Sequence, residues 1–137
     1  MSTIKVTNLQ DTSGGNSSTS EELFQGRAKV WVNFDGTFST SPFTEANGGI
    51  RDSFNVTSVT DNGTGNYTVN LASAMPNANY AAIATIGGGS ISNGSESTQI
   101  ISRTTTTFRV YISSDGTGGA TYTAQNASYV AAAIFGD

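Results

Sequence analysis

The sequence predicts an all-β protein: an antiparallel β-sandwich of jelly-roll type, with about eight short strands and an extended N-terminal arm. Three observations carry this. Apolar residues alternate at period two in several stretches, and no window sustains the 3.6-residue period of an amphipathic helix. Turn signals rich in Gly, Asn and Asp recur at intervals of roughly 8 to 12 residues, the spacing of sandwich or barrel strands rather than of α/β units. Ser, Thr, Asn and Gly make up nearly half of the 137 residues, while charged residues are only 12%, so the surface is a neutral, hydroxyl-coated β surface. The length suits one domain with a real core. Nothing repeats at a fixed period, which argues against a propeller or solenoid.

Residues 1–26 read as an arm and 27–137 as the sandwich domain. Ile4 and Val6 alternate for one short strand, and the Asp11–Thr19 stretch has almost nothing to bury. Ser20-Glu21-Glu22-Leu23-Phe24 has the form of a capped helical turn ending at Gly26, with acids near its N-terminus. Such a composition cannot hold a fold alone, so the arm is expected to contact another chain.

The domain begins with Lys29 to Phe34, where Val30, Val32 and Phe34 face inward and Lys29, Trp31 and Asn33 share the other face. Asp35-Gly36 turns the chain. Phe38 to Gly49 is an irregular loop with Phe38 and Phe43 as its large anchors. The organising stretch is Phe54 to Ile86. Phe54 and Val56 alternate with Asn55 and Thr57 as a half-buried strand, Asp61-Asn62-Gly63-Thr64-Gly65 reverses the chain, and Tyr67, Val69 and Leu71 point inward on the return. This is the clearest hairpin. Pro76 ends the ladder for want of an N–H. Tyr80 to Ile86 is apolar on both faces and reads as a central strand covered on both sides, with Ile83 in the core. Gln99–Arg103 and Thr107–Ser113 are further strands, the second with Phe108, Val110 and Ile112 inside and Arg109 and Tyr111 outside. A turn is expected over Ser114-Asp115-Gly116 and Gly118-Gly119. Tyr129 to Phe135 is the last strand, thin on both faces because of Ala131, Ala132 and Ala133.

Little catalytic chemistry is on offer. The chain has no His and no Cys, which removes the commonest general base, the commonest metal ligands and any disulfide. No metal and no cofactor is expected: there is no P-loop, dinucleotide fingerprint or calcium loop, and no helix follows Gly87-Gly88-Gly89 to present N–H groups to a phosphate. No nucleophile elbow occurs. Paired carboxylates could cleave glycans, but Asp35, Asp61 and Asp115 sit in turn sequences where Asp bonds its own backbone, and Asp52 beside Arg51 reads as an ion-paired strand edge. The reading is therefore not an enzyme. A net charge of −4 argues against nucleic acid as partner. No signal peptide or membrane-length apolar run is apparent, so no membrane insertion is expected. Trp31, Arg109 and Tyr111 are the outward residues suited to a ligand or to a neighbouring subunit. The loops Phe38–Gly49 and Gly87–Glu96 are the other places for recognition.

Specific stretches carry a resemblance. Met1–Gln10, Asp11–Gly15 and Gly26–Gly36 resemble small structural proteins of marine tailed phages, cyanophages especially. Ile50-Arg51-Asp52-Ser53-Phe54-Asn55-Val56, Gly65-Asn66-Tyr67-Thr68-Val69-Asn70-Leu71 and Ala74-Met75-Pro76-Asn77-Ala78-Asn79-Tyr80 are similar to C-terminal receptor-binding domains of phage tail fibres. The resemblance covers nearly the whole chain. It implies a β-sandwich, a homotrimer, and binding of host surface glycans or proteins through loops, with the arm attaching to other virion proteins. No site residue comes with it. The expectation is a virion protein of a tail or other surface appendage, made in the bacterial host cytoplasm. A capsid decoration protein, as a cement or head-fibre protein, stands as the alternative. The apolar last strand favours a homotrimer with the alanines near the axis, where subunits must come close.

Overall fold

A computed structural model describes residues 2–3, 5–15, 17–87, 96–116 and 120–136, with 115, 116, 120 and 121 as backbone only. The strands are β1 (Asn8–Gln10), β2 (Ser17–Thr19), β3 (Val30–Phe34), β4 (Ile50–Phe54), β5 (Val56–Asp61), β6 (Asn66–Leu71), β7 (Ala81–Gly87), β8 (Glu96–Arg103), β9 (Thr107–Gly116), β10 (Ala120–Ala124) and β11 (Tyr129–Phe135). One helix, α1 (Ser20–Gly26), lies between β2 and β3. All pairings are antiparallel. The protein is an all-β sandwich, as its alternation predicts.

The first sheet runs β8-β9-β6-β5, with β10 continuing the β6 side of β9. The second runs β4-β3-β11-β7. Between them lies one core: Val30, Val32 and Phe34 of β3 and Val130, Ala132 and Ile134 of β11 meet Val59, Tyr67, Val69, Phe108, Val110 and Ile112 of the first sheet. Each fully buried aliphatic side chain here contributes about 1.5–3 kcal/mol of transfer free energy.

Both open sides of the sandwich are closed. Phe43 bridges Val59 on the free edge of β5, with N–H···O distances of 2.7 and 2.9 Å, and the Ser41 hydroxyl accepts from the Asp61 amide. The 35–49 loop thus blunts an edge that would otherwise offer unpaired backbone. On the other side the Thr98 hydroxyl of β8 donates to the Ala84 carbonyl of β7 at 2.8 Å.

The Val56–Leu71 hairpin stands as expected, with Gly63 and Gly65 at positive φ in its turn. Four expectations need correction. Phe54 and Val56 do not share a strand. Asn55, at φ 57°, breaks the run, and the chain crosses from the second sheet to the first there. Its amide holds the crossing by bonding the Ser73 carbonyl and accepting from the Ser73 amide. β7 is an edge strand, not a central one: its inner face is Ala82, Ala84 and Ile86, and Ile83 points outward, 60% exposed. The inner strands of this sheet are β3 and β11. β9 runs on through Gly116, so the turn expected at 114–116 is strand, and residues 117–119 lie outside the described residues. Asp52 is not the partner of Arg51. Its carboxylate takes the adjacent Ser53 amide, and Arg51 pairs with Asp35 at 3.1 Å.

In the arm, Asn8–Gln10 pairs with Ser17–Thr19. The expected Ile4–Val6 strand is not seen at Val6, and Ile4 lies outside the described residues. The helix cap is Thr19, one residue before the expected start. Its hydroxyl accepts from the Glu22 amide while Glu22 accepts from the Thr19 amide, a capping box. The Thr19 backbone and hydroxyl hold the Glu22 carboxyl below its ordinary range. No residue of α1 is buried.

Candidate functional site

The strand directions give the domain two unlike ends. The arm enters β3 at the end where Phe54, Ala81 and Phe135 also lie. The opposite end collects the start and return of the 35–49 loop, the 62–65 turn, the end of β7, the start of β8 and the 125–128 segment; residues 88–95, the other loop expected for recognition, lie outside the described residues. That end is a rigid platform. Phe34, Phe43 and Tyr67 form an aromatic cluster with ring centroids 5.2 to 6.1 Å apart, and Phe38 stands edge-on to Phe43 at 5.8 Å. The Tyr67 hydroxyl lies 2.7 Å from both the Gly36 carbonyl and the Asn126 side-chain oxygen, and the Gly65 amide donates to that same oxygen. Burial first, then the charge of Asp61, pushes the Tyr67 phenol well above its ordinary range, so it stays a donor. Gly65 is required: a Cβ would meet the Ile112 carbonyl, and φ is +66°.

The side of the domain carries the second feature. On the outer face of β4-β3-β11-β7, the register aligns Phe54, Trp31, Ala133 and Ile83 in one row across all four strands. Phe54 is 55% exposed and Trp31 37%. A depression of about 380 Å³ lies over the alanines, between Trp31 and Ile83. The next row is Asp52, Asn33, Ala131 and Thr85. Toward the loop end the face becomes polar. Arg51 reaches the Asp35 carboxylate, the Asn33 side chain and the Ser128 carbonyl, and lies 4.2 Å from the Tyr129 ring centroid. Burial raises the Asp35 carboxyl, but the Thr37 bonds and Arg51 outweigh it and hold the group below its ordinary range.

The outer face of the other sheet is the reverse. Asn66, Thr68, Asn70, Ser58 and Thr60 tile it, with the Asn70 amide donating to Ser58 and Thr60 hydroxyls at 3.1 and 3.0 Å. Arg109 and Tyr111 stand in this face, and Arg109 donates to Asn66 at 2.8 Å. Trp31 is therefore on one side of the molecule, with Arg109 and Tyr111 on the other. Sequence reasoning missed Ile83 and Phe54 as row partners of Trp31. One signal was present: Thr85 and Gly87 share the outward face of β7 with Ile83, as suits a strand open on one side.

A cleft of about 430 Å³ lies beside the arm, lined by Phe24, Arg27, Lys29, Phe54, Met75 and Pro76 among others. Arg27 and Lys29 both lie over the Phe24 ring.

Among the described residues no group of three or more His, Cys, Asp or Glu could hold a metal. Asp35 and Asp61 bond the amides two residues on, as turn aspartates do. No described helix is long and apolar enough to cross a membrane. Compared with known proteins, the chain matches no family model, no curated protein and no solved structure.

Proposed function

We propose that this protein is a non-enzymatic structural subunit of a tailed-bacteriophage virion, a tail-fibre or fibre-tip module that works as a homotrimer. The observation that carries the reading is the polarity of the domain. An exposed arm leaves one end, polar loops on an aromatic platform occupy the other, and the side between them bears an apolar row. Attachment, display and assembly thus have separate places. The arm is the element for other virion proteins. The loop end is the element for a host surface glycan or protein, since loops on a rigid sandwich carry recognition. The row Phe54–Trp31–Ala133–Ile83 is the subunit face, because bare apolar surface of this kind is stabilised by removal from water.

Within a trimer, the aromatic half of one face, Phe54 and Trp31, meets the aliphatic half of the next, Ala133 and Ile83. A threefold contact is heterologous, so unlike halves must match. The alanines let the sheets approach closely near the axis.

Antibody raised against the purified protein tests the reading on whole particles by electron microscopy. Labelling of tail appendages at a few trimers per particle is expected. Dense labelling of the head assigns the protein to capsid decoration instead, and unlabelled particles overturn the virion reading. Purified protein is expected to leave host polysaccharide intact. Turnover lost in Asp52→Asn or Asp61→Asn overturns the non-enzymatic part.

A further inference from the structure

We propose that Asn62, in the β5–β6 turn, is a self-modifying position. The Gly63 backbone nitrogen attacks the Asn62 side chain with the Asp61 carboxylate as base, and the loop end gains a negative charge as the protein ages. What this does to recognition rests on the display role proposed above for the loop end. The reaction itself does not.

An Asn-Gly step hinders such an attack least, because glycine has no Cβ to block the approach. The steps are Asn47-Gly48, Asn62-Gly63 and Asn93-Gly94, the last outside the described residues. The first two both sit in exposed turns, with glycine at φ 83° and 112° and open space around each glycine. Sequence and exposure do not separate them. Their hydrogen bonds do.

The Asn47 side chain is pinned at both ends. Its oxygen accepts from the Thr44 and Gly49 amides at 2.9 and 3.1 Å, and its nitrogen donates to the Pro42 carbonyl at 2.9 Å. Bringing its amide carbon to the next backbone nitrogen breaks all three. The Gly48 amide donates to the Glu45 carbonyl, which is no base. Among the described residues, the Asn62 side chain is held through its nitrogen, which donates to the Thr68 hydroxyl at 2.8 Å and to the Thr60 carbonyl at 3.5 Å. The Gly63 amide, the attacking group, donates to the Asp61 carboxylate at 2.8 Å. Its proton already points at a base.

The step balances with one water. A bond forms from the Gly63 nitrogen to Cγ of Asn62 as the amide proton passes to Asp61. The Cγ–Nδ2 bond breaks, and ammonia leaves with that proton. Water then opens the cyclic imide to Asp or isoaspartate at position 62. Either product puts a second carboxylate beside Asp61 and ends the donation to Thr68. Isoaspartate also lengthens the backbone by one methylene. The turn is closed by the Asn62 amide on the Asn66 carbonyl and the Asn66 amide on the Gly63 carbonyl. Gly65 is anchored on both sides, its amide on Asn126 and its carbonyl on the Ile112 amide, so residues 62–64 take up the added atom.

Peptide mapping by mass spectrometry of the full-length protein, held at mildly alkaline pH, reads the reaction, with Asn47 as internal standard. Product at Asn62 is expected to build up at least about fivefold faster than at Asn47. Asp61→Ser keeps an acceptor for the Gly63 amide but removes the base, and is expected to slow Asn62 at least about threefold with Asn47 unchanged. As the pH is lowered, the wild-type rate at Asn62 is expected to fall less steeply than hydroxide, and the variant's rate in proportion to it. A loosened turn alone would not produce that difference. Equal rates at the two asparagines in wild type overturn the inference. So does a wild-type rate proportional to hydroxide, or an Asp61→Ser variant as fast as wild type. These outcomes are read on the purified protein and leave the particle labelling, which decides the virion reading, untouched.

Discussion

The two outer faces of the sandwich are built on the same backbone and dressed in opposite ways. On the β8-β9-β6-β5 sheet, Asn70 bonds Ser58 and Thr60, and Asn62 bonds Thr68, so these polar groups find partners within the monomer. On the β4-β3-β11-β7 sheet, Phe54, Trp31 and Ile83 stand exposed around alanines as mostly apolar surface. The first face gains little from a partner, because its polar groups would exchange one set of hydrogen bonds for another. The second gains from any partner that fits, since each such side chain taken fully from water is worth about 1.5–3 kcal/mol. The contrast teaches where assembly is to be sought.

The strongest way to break the contrast is Ala133→Arg. The substitution points outward, so the monomer should still fold, but a charge desolvated without a partner costs several kcal/mol, comparable with the stability of a whole domain. Sedimentation equilibrium should move from trimer to monomer. A variant that remains a trimer, or a wild type that is already monomeric, ends the assignment of this face. Trp31 is the only tryptophan and reads the same event: its emission should shift to the red on dissociation.

Tyr67→Phe acts between the faces rather than on them. It removes the hydroxyl shared by Gly36 and Asn126, leaving the buried Gly36 carbonyl without that donor while the Asn126 oxygen keeps the Gly65 amide, and should cost about 1–3 kcal/mol in denaturant unfolding. An unchanged midpoint would show that the loop platform does not depend on this network. Oligomeric state should not change.

The same separation is sharper on the polar face. Asn70→Ala deletes bonds to Ser58 and Thr60 that are only partly buried, and should cost about 1 kcal/mol while leaving the trimer intact. Loss of trimer in this variant would mean that the polar face, too, is an interface.

The smallest effect is at the corner where the apolar face turns polar. Asp35 is held below its ordinary range, so its contribution to stability is present above the unfolded-state value near 4 and fades as the pH falls through the lower folded value. Asp35→Asn should remove that acid dependence and, because the Arg51 pair is partly exposed, lower neutral stability by no more than about 1 kcal/mol. An acid limb of equal slope in wild type and variant would assign the dependence to other carboxyls.

Some of this was legible in the chain itself. Alternation placed Val30, Val32, Phe34, Tyr67, Val69, Leu71, Phe108, Val110 and Ile112 in the core, where they are. Asp-Asn-Gly chemistry fixed the β5–β6 turn, and the Ser20-Glu21-Glu22 start, with its acids in the first turn, announced α1. Those signals are local: each depends on residues within a few positions of one another. Ile83 was misread because an apolar strand says only that it is buried somewhere, not that it sits at the edge with one face bare.

That distinction belongs to tertiary structure. Strand order places β11 between β3 and β7, partners about a hundred and about fifty residues away along the chain, and only their register brings Trp31, Ala133 and Ile83 into line. Arg51 likewise found Asp35, not its neighbour Asp52, because it is the extra residue where the β3–β4 register shifts, from which its guanidinium reaches Asn33, Asp35 and the Ser128 carbonyl. Sequence by itself determined the strands of clear alternation, β3, β6 and most of β9, and which of their faces turns inward, since period and turn chemistry act over short range. Which outward faces are left uncovered, and which residues meet there, was decided by long-range pairing, because no local preference specifies a neighbour that the chain reaches only after folding.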